Sequence, residues 1–296
     1  MVTSLIHVNN LSIHFGDFIA LEDITLTFKK TNGVIGLIGP NGAGKTTLIS
    51  AIIGQLKFHK GFVNVNHEDV AYCPDVPSFE SFLTPKEVLE QTIRLRGKPV
   101  KNYKKKILDV LKDVDLTKSQ NKLVGGFSRG MRQRLGIASA LVLDPKIIFL
   151  DEPTSALDPF GQKDVLQLVD KVAKNHVVVI SSHNLKDVEK IAKEIIVLNE
   201  GRLIYKGNLN SFTEEKQKLA IIEFSDSKIS ENFDVILQEN NIPHNLVDKT
   251  IKFEKYEIKK VLSLVNSYAD YIVRIEREIF SLEDAFEAHV KNHNKK

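Results

Sequence analysis

The residues Gly39-Pro40-Asn41-Gly42-Ala43-Gly44-Lys45-Thr46 fit G-x-x-x-x-G-K-[ST], a loop built to hold a polyphosphate. Glycines there let backbone N–H groups approach phosphate oxygens, because no Cβ intervenes. Lys45 is placed to reach the β- and γ-phosphates, and the Thr46 hydroxyl to hold Mg2+. Thr47 carries the loop into a helical stretch. Much further along, Ile147-Ile148-Phe149-Leu150-Asp151-Glu152 is an apolar run that ends in two carboxylates. Asp151 is placed to contact Mg2+ opposite Thr46, and Glu152 to orient or deprotonate a water attacking the γ-phosphate. An acidic pair after a strand is common by itself. Its pairing with the glycine loop gives it this chemistry.

Such a loop works only between a strand and a helix. Residues 33–38 form a short apolar run that reads as a buried strand. Residues 47–53 have helical spacing, and Gly54 offers a stop. Before the loop, residues 5–8, 11–15 and 24–28 alternate apolar and polar. They predict antiparallel strands joined by turns at Asn9-Asn10 and Gly16-Asp17. Residues 61–65 and 70–72 read as further strands, the second ended by Pro74.

Residues 80–145 turn helical. Thr84-Pro85-Lys86-Glu87 is a capped helix start followed by Val88, Ile93 and Leu95. A helix over 101–113 has Ile107, Leu108 and Leu111 on its apolar side, with Lys104-Lys105-Lys106 as a solvated face. A third helix spans about 130–143 and ends before Pro145. Strands near 146–150, 176–180 and 195–198 then alternate with helices near 161–174 and 184–192, and Glu200-Gly201 turns into a last strand. That alternation predicts a mostly parallel sheet covered on both faces. Past 209 the order β-α-β-β-α-β, with a final helix from Ser281, fits a small ferredoxin-like α+β unit.

The chain's 296 residues suit two domains, here 1–208, with helices at 80–145, and 209–296. Its net charge of +3 gives no argument for nucleic acid. Cys73 is the single cysteine, so no internal disulfide forms. There is no basic segment followed by an apolar core at the start. No apolar stretch approaches the roughly 20 residues of a membrane span, so work at a membrane would go through a partner.

Between the glycine loop and the acidic strand stands Phe127-Ser128-Arg129-Gly130-Met131-Arg132-Gln133-Arg134. It resembles the Leu-Ser-Gly-Gly-Gln signature of ATP-binding cassette (ABC) proteins. Pro153-Thr154 and Ser155-Ala156-Leu157-Asp158 look like the family's D-loop. Ser181-Ser182-His183 matches the switch histidine, and Phe15 sits where the family stacks an aromatic on adenine. The resemblance runs in order over 1 to about 207. It implies an α/β P-loop ABC-type ATPase core with an antiparallel β subdomain and a helical subdomain.

The resemblance further implies ATP and Mg2+ as ligands, with Glu152 and His183 catalytic. ATP would lie between the loop of one cassette and Ser128, Arg129, Gly130 and Asp158 of a second, identical or related. The implied role is the ATPase subunit of a bacterial transporter, at the cytoplasmic face of the membrane. A separate permease would dock near residues 75–82. The forms of 127–134 and 281–286 resemble exporter-type cassettes. Two departures stand out: Asp75 stands where the family has a lid Gln, able to bind Mg2+ or a water but adding negative charge near the triphosphate, and Arg129 replaces the first signature glycine, either to supply a positive charge near the γ-phosphate or to face outward. A soluble cassette acting on ribosomes, DNA or cluster assembly is the rival reading. Ribosome-acting relatives usually carry two cassettes and DNA-repair relatives a long coiled coil, and neither is expected here. For residues 209–296 a ligand-sensing domain is weighed against a packing appendage, and the absence of a recognisable ligand motif favours the latter.

Overall fold

The computed structural model describes residues 4–97, 101–214, 219–277 and 281–293. Parts of both predicted domains, such as 98–100 and 215–218, lie outside the described residues. The chain divides into two compact units, Met1–Asn208 and Leu209–Lys296.

In the first unit β1 (Ser4–Phe15) pairs antiparallel with β2 (Phe18–Lys29). The Gly16-Asp17 turn forms as predicted. Asn9-Asn10 is not a turn: β1 runs through it as one strand with a bulge. Asn10 takes φ 49°, and its side-chain amide donates to Asp23 Oδ1 at 2.6 Å. Asn tolerates the left-handed backbone that a bulge requires, so a turn residue here marks a kink.

Next come β3 (Gly33–Ile38), α1 (Lys45–Ile52), β4 (Lys60–Val65) and β5 (Val70–Cys73). Helix α1 begins at Lys45, two residues before the predicted start. β4 returns to pair with β1. β5 instead joins a different sheet, parallel to β6, so residues 70–73 do not belong with the antiparallel strands before them.

Three helices follow: α2 (Pro85–Leu95), α3 (Tyr103–Asp113) and α4 (Arg129–Leu141). Thr84 and Glu87 close a capping box on α2, which satisfies two N–H groups that a bare helix start leaves unpaired. Leu108, expected on the apolar side of its helix, is 48% exposed, and Leu95 is 80% exposed; the buried faces carry Val88, Leu89, Ile93, Ile107, Val110 and Leu111. Leu95 lies in the last turn of α2, and Leu108 on the flank of α3.

The unit continues with β6 (Ile147–Asp151), α5 (Pro159–Ala173), β7 (Val177–Ser182), α6 (Leu185–Ile191), β8 (Glu194–Asn199) and β9 (Arg202–Asn208). The sheet order is β5-β6-β7-β3-β8-β9, parallel except for β9. β6 and β7 are buried along their whole length, as strands covered on both faces must be. One apolar core joins both sheets through α1, including Leu11, Leu21, Leu37, Ile52 and Phe149. Phe28 meets Phe149 edge to face at 5.6 Å.

The second unit comprises α7 (Leu209–Glu214), β10 (Leu219–Phe224), α8 (Ser227–Glu239), β11 (His244–Val247), β12 (Thr250–Glu254), α9 (Ile258–Val265), β13 (Ile272–Arg277) and α10 (Leu282–His293). Its strands form an antiparallel sheet in the order β11-β12-β10-β13. Phe224, Phe233, Leu237 and Phe253 fill its core.

Candidate functional site

The glycine loop connects the end of β3 to the start of α1, at the C-terminal edge of the parallel sheet. Two glycines there are dictated by space and backbone. A Cβ on Gly39 would lie 2.3 Å from the Leu198 carbonyl oxygen. Gly44, the N-cap of α1, has φ 98°, and a Cβ on it would meet Leu21 Cδ2 at 2.6 Å and Ala20 O at 2.8 Å. The loop therefore presses against β2 and β8 and leaves Pro40, Asn41 and Gly42 exposed. Ala43 is buried, and its N–H donates to the Pro40 carbonyl at 3.1 Å. The N-terminus of α1 carries no acidic residue of its own in its first turn, which favours an anion there.

Lys45 folds back over this loop. Its Nζ donates to Gly39 O at 2.7 Å and to Pro40 O at 3.1 Å, and lies 3.9 Å from Glu152 Oε1. Burial pulls its pKa below the ordinary lysine value, against the opposing pull of Glu152 and Asp151. Thr46 donates its hydroxyl to Asp151 Oδ2 at 2.9 Å. These two residues, 105 apart in sequence, meet because β6 and β3 flank the same strand, β7, and end at the same edge.

Asp151 is 5% exposed. Ser181, at the end of β7, donates to Asp151 Oδ1 and also accepts from the Glu152 N–H at 2.9 Å. Tyr72 donates to Asp151 Oδ2 at 3.3 Å. The sequence alone assigns neither Tyr72 nor Ser181 a contact with this carboxylate. The signal for Ser181 was its place one strand over, at the same sheet edge. The signal for Tyr72 was a polar-tipped ring in a short apolar strand.

Glu152 leaves the strand with φ 45°. Its Oε2 accepts from His183 Nδ1 at 2.8 Å. Lys45, Thr46, Asp151, Glu152 and His183 thus form one continuous polar network. Asp75 lies near Tyr72, whose acidity its charge affects, and Asp75 Oδ1 is buried without a hydrogen-bond partner.

The donor set fits Mg2+. A hydroxyl and one or two carboxylates are what that ion takes when phosphate oxygens and water complete its shell. Among the described residues no cluster of three or more His, Cys, Asp or Glu side chains forms a self-sufficient metal cage. The buried, unpartnered oxygen of Asp75 points the same way.

Other predicted residues lie elsewhere. Phe15 is 52% exposed at the tip of the β1–β2 hairpin. Ser128 is the N-cap of α4, accepting from the Met131 N–H at 3.3 Å. Arg129 is exposed, and Gly130 follows it in the first turn. Asp158 caps α5, accepting from the Gly161 N–H at 2.7 Å. Ser128 and Asp158 make no contact with the Lys45–His183 network among the hydrogen bonds of the described residues.

Comparison with known proteins agrees with this geometry. The ABC transporter family model matches residues 21–155. An uncharacterised ABC transporter ATP-binding protein of Bacillus subtilis (strain 168), YxlF, is 32% identical over 86% of this chain and 89% of its own length. The bacitracin transport ATP-binding protein BcrA of Bacillus licheniformis is 31% identical over 81% of this chain and 80% of its own. Among solved structures, an ATP-binding subunit of an ABC transporter superposes with TM-score 0.63 at 28% identity, covering 71% of this chain and 92% of that one. The chain belongs to the ABC transporter family, as an ATP-binding subunit that couples ATP hydrolysis to transport.

Proposed function

We propose that ATP and Mg2+ bind at the Gly39–Thr46 loop and that Glu152 and His183 carry the hydrolytic step. The observation that carries this is the convergence at one sheet edge of Lys45 with Glu152, 3.9 Å apart, and Thr46 with Asp151, 2.9 Å apart. Lys45 exchanges the Gly39 and Pro40 carbonyls for phosphate oxygens, which are stronger, charged acceptors. Backbone N–H groups from Gly39 through Thr47 surround the phosphates. Phe15 offers its exposed ring to adenine. Thr46, Asp151 and Asp75 would hold Mg2+, which would supply positive charge to neutralise the phosphates. Glu152 orients the attacking water and takes its proton, while His183 holds the carboxylate.

Ser128, Arg129, Gly130 and Asp158 serve the ATP of a second cassette, because their own chain keeps them out of its polar network. ATP binding closes the pair and hydrolysis reopens it. A polytopic permease docks the three-helix region, which holds this subunit at the cytoplasmic face of the membrane. No described helix is long and apolar enough to cross a membrane. Export is the direction we propose, on the resemblance of residues 127–134 and 281–286 to exporter-type cassettes. Residues 1–208 form the cassette, with α2 to α4 as its helical subdomain. Residues 209–296 form a ferredoxin-like accessory domain that braces or packs.

Glu152→Gln tests the assignment. ATP binding persists and MgATP traps a dimer visible by size-exclusion chromatography, while turnover is lost. Unchanged turnover in this variant overturns the catalytic role of Glu152.

A further inference from the structure

Tyr72 occupies a position that its strand pairing explains. β5 and β6 are parallel with Tyr72 opposite Phe149. Phe149 and Asp151, two apart, project from the same face, so a long ring at Tyr72 reaches along β6 to the carboxylate. Its hydroxyl lies 3.3 Å from Asp151 Oδ2, the oxygen that also accepts from Thr46 at 2.9 Å. The second oxygen, Oδ1, is taken by Ser181.

We propose that Tyr72 is a positioning residue for metal binding: its hydroxyl keeps Asp151 Oδ2 aimed when Thr46 turns its own hydroxyl oxygen to Mg2+. The inference rests on the reading of Asp151 and Thr46 as metal ligands. The Thr46 hydroxyl can offer a lone pair to the ion while its proton stays on Asp151 Oδ2. Among the described residues Tyr72 and Thr46 are the side chains that donate to Oδ2 and Ser181 the one that donates to Oδ1, so without Tyr72 the metal-facing oxygen is held by Thr46 alone. Groups that orient a ligand in this way are typically worth about 10- to 100-fold in metal affinity.

The test is Mn2+ binding to the ATP-loaded full chain, followed by electron paramagnetic resonance, for wild type, Tyr72→Phe, Tyr72→Leu and Asp151→Asn. Binding of ATP without metal and the ligand-free melting temperature are measured in parallel. Tyr72→Phe keeps the ring and removes only the hydroxyl. The expected result is Mn2+ binding about tenfold weaker, with metal-free ATP binding and melting unchanged. Tyr72→Leu serves the same comparison if the phenylalanine variant does not fold. A folded variant whose Mn2+ affinity changes by less than about threefold, or rises, overturns the inference. Asp151→Asn separates the two failures. If it too binds Mn2+ normally, the metal-ligand reading is wrong. If it loses Mn2+ while the Tyr72 variants keep it, only the role of Tyr72 is wrong.

Discussion

The imidazole of His183 donates from Nδ1 to Glu152 Oε2 at 2.8 Å, and this contact spans the ends of two adjacent strands, β6 and β7. The His183 backbone N–H stands 3.5 Å from the same oxygen. Under the proposed roles, His183→Ala leaves Glu152 with a long backbone contact and no side-chain partner on that oxygen. Single-turnover measurements should show the chemical step slowed about 100-fold or more, the scale of a displaced general base. ATP affinity should stay within a few-fold of wild type.

Gly44→Ala should abolish nucleotide binding and also destabilise the unliganded fold. The added Cβ meets Ala20 O at 2.8 Å and Leu21 Cδ2 at 2.6 Å, at a φ of 98° that alanine resists. A cost of about 1–3 kcal/mol is expected in urea unfolding, the range for a side chain forced into sparsely populated backbone. ATP binding by calorimetry should be undetectable.

The α2 capping box gives a test independent of catalysis. Thr84 accepts from the Glu87 N–H, and Glu87 accepts from the Thr84 N–H at 2.7 Å. Thr84→Ala should cost about 1 kcal/mol by denaturant titration, as N-cap losses do. Turnover of the folded fraction should be unchanged.

Asp144 provides a pH signature. Its hydrogen bond from Lys106 at 2.7 Å holds the carboxyl below the usual range. A folded-state value below the unfolded one stabilises the fold above the unfolded value, near about pH 4. The benefit is lost as pH falls through the lower, folded value. The pair is well exposed, so solvent screening limits it to about 0.5 kcal/mol. Asp144→Asn should therefore be slightly less stable than wild type at neutral pH, and the difference should vanish in strong acid.

Arg129 is exposed at the start of α4, where a cation opposes the helix dipole. Its side chain makes no hydrogen bond or ion pair with a described residue. Arg129→Ala should leave stability within about 0.5 kcal/mol of wild type and leave ATP binding by the isolated chain unaltered. Turnover, which the proposed second cassette completes, should fall.

The chemistry of the site was more legible in the sequence than its support. Glycines, a lysine and strand-end carboxylates are written as contiguous motifs, so Lys45, Thr46, Asp151 and Glu152 stand out as candidates from the sequence. Their convergence depends on strand order, which no local pattern encodes: β7 lies between β3 and β6, and that fact brings Ser181 to Asp151. Tyr72 went unassigned because residues 70–73 carry too few side chains to tell an antiparallel strand from a parallel one. Asn9-Asn10 misled because the same residue types serve turns and bulges. Leu108 misled because a periodic pattern fixes a helix face only to within a residue or so at its flanks. In the second unit the predicted order β-α-β-β-α-β and the final helix are present, after an additional short helix, α7.

Glu152 has a left-handed backbone, φ 45°, tethered by its N–H to both the carbonyl and the hydroxyl of Ser181. A glycine would adopt that geometry without steric cost. Under the proposed role of Glu152, position 152 is therefore a point where heat tolerance and turnover select in opposite directions. A library ranked for survival at high temperature would enrich glycine there and discard the proposed base, while a library ranked for turnover would keep the strained residue and accept a less robust fold.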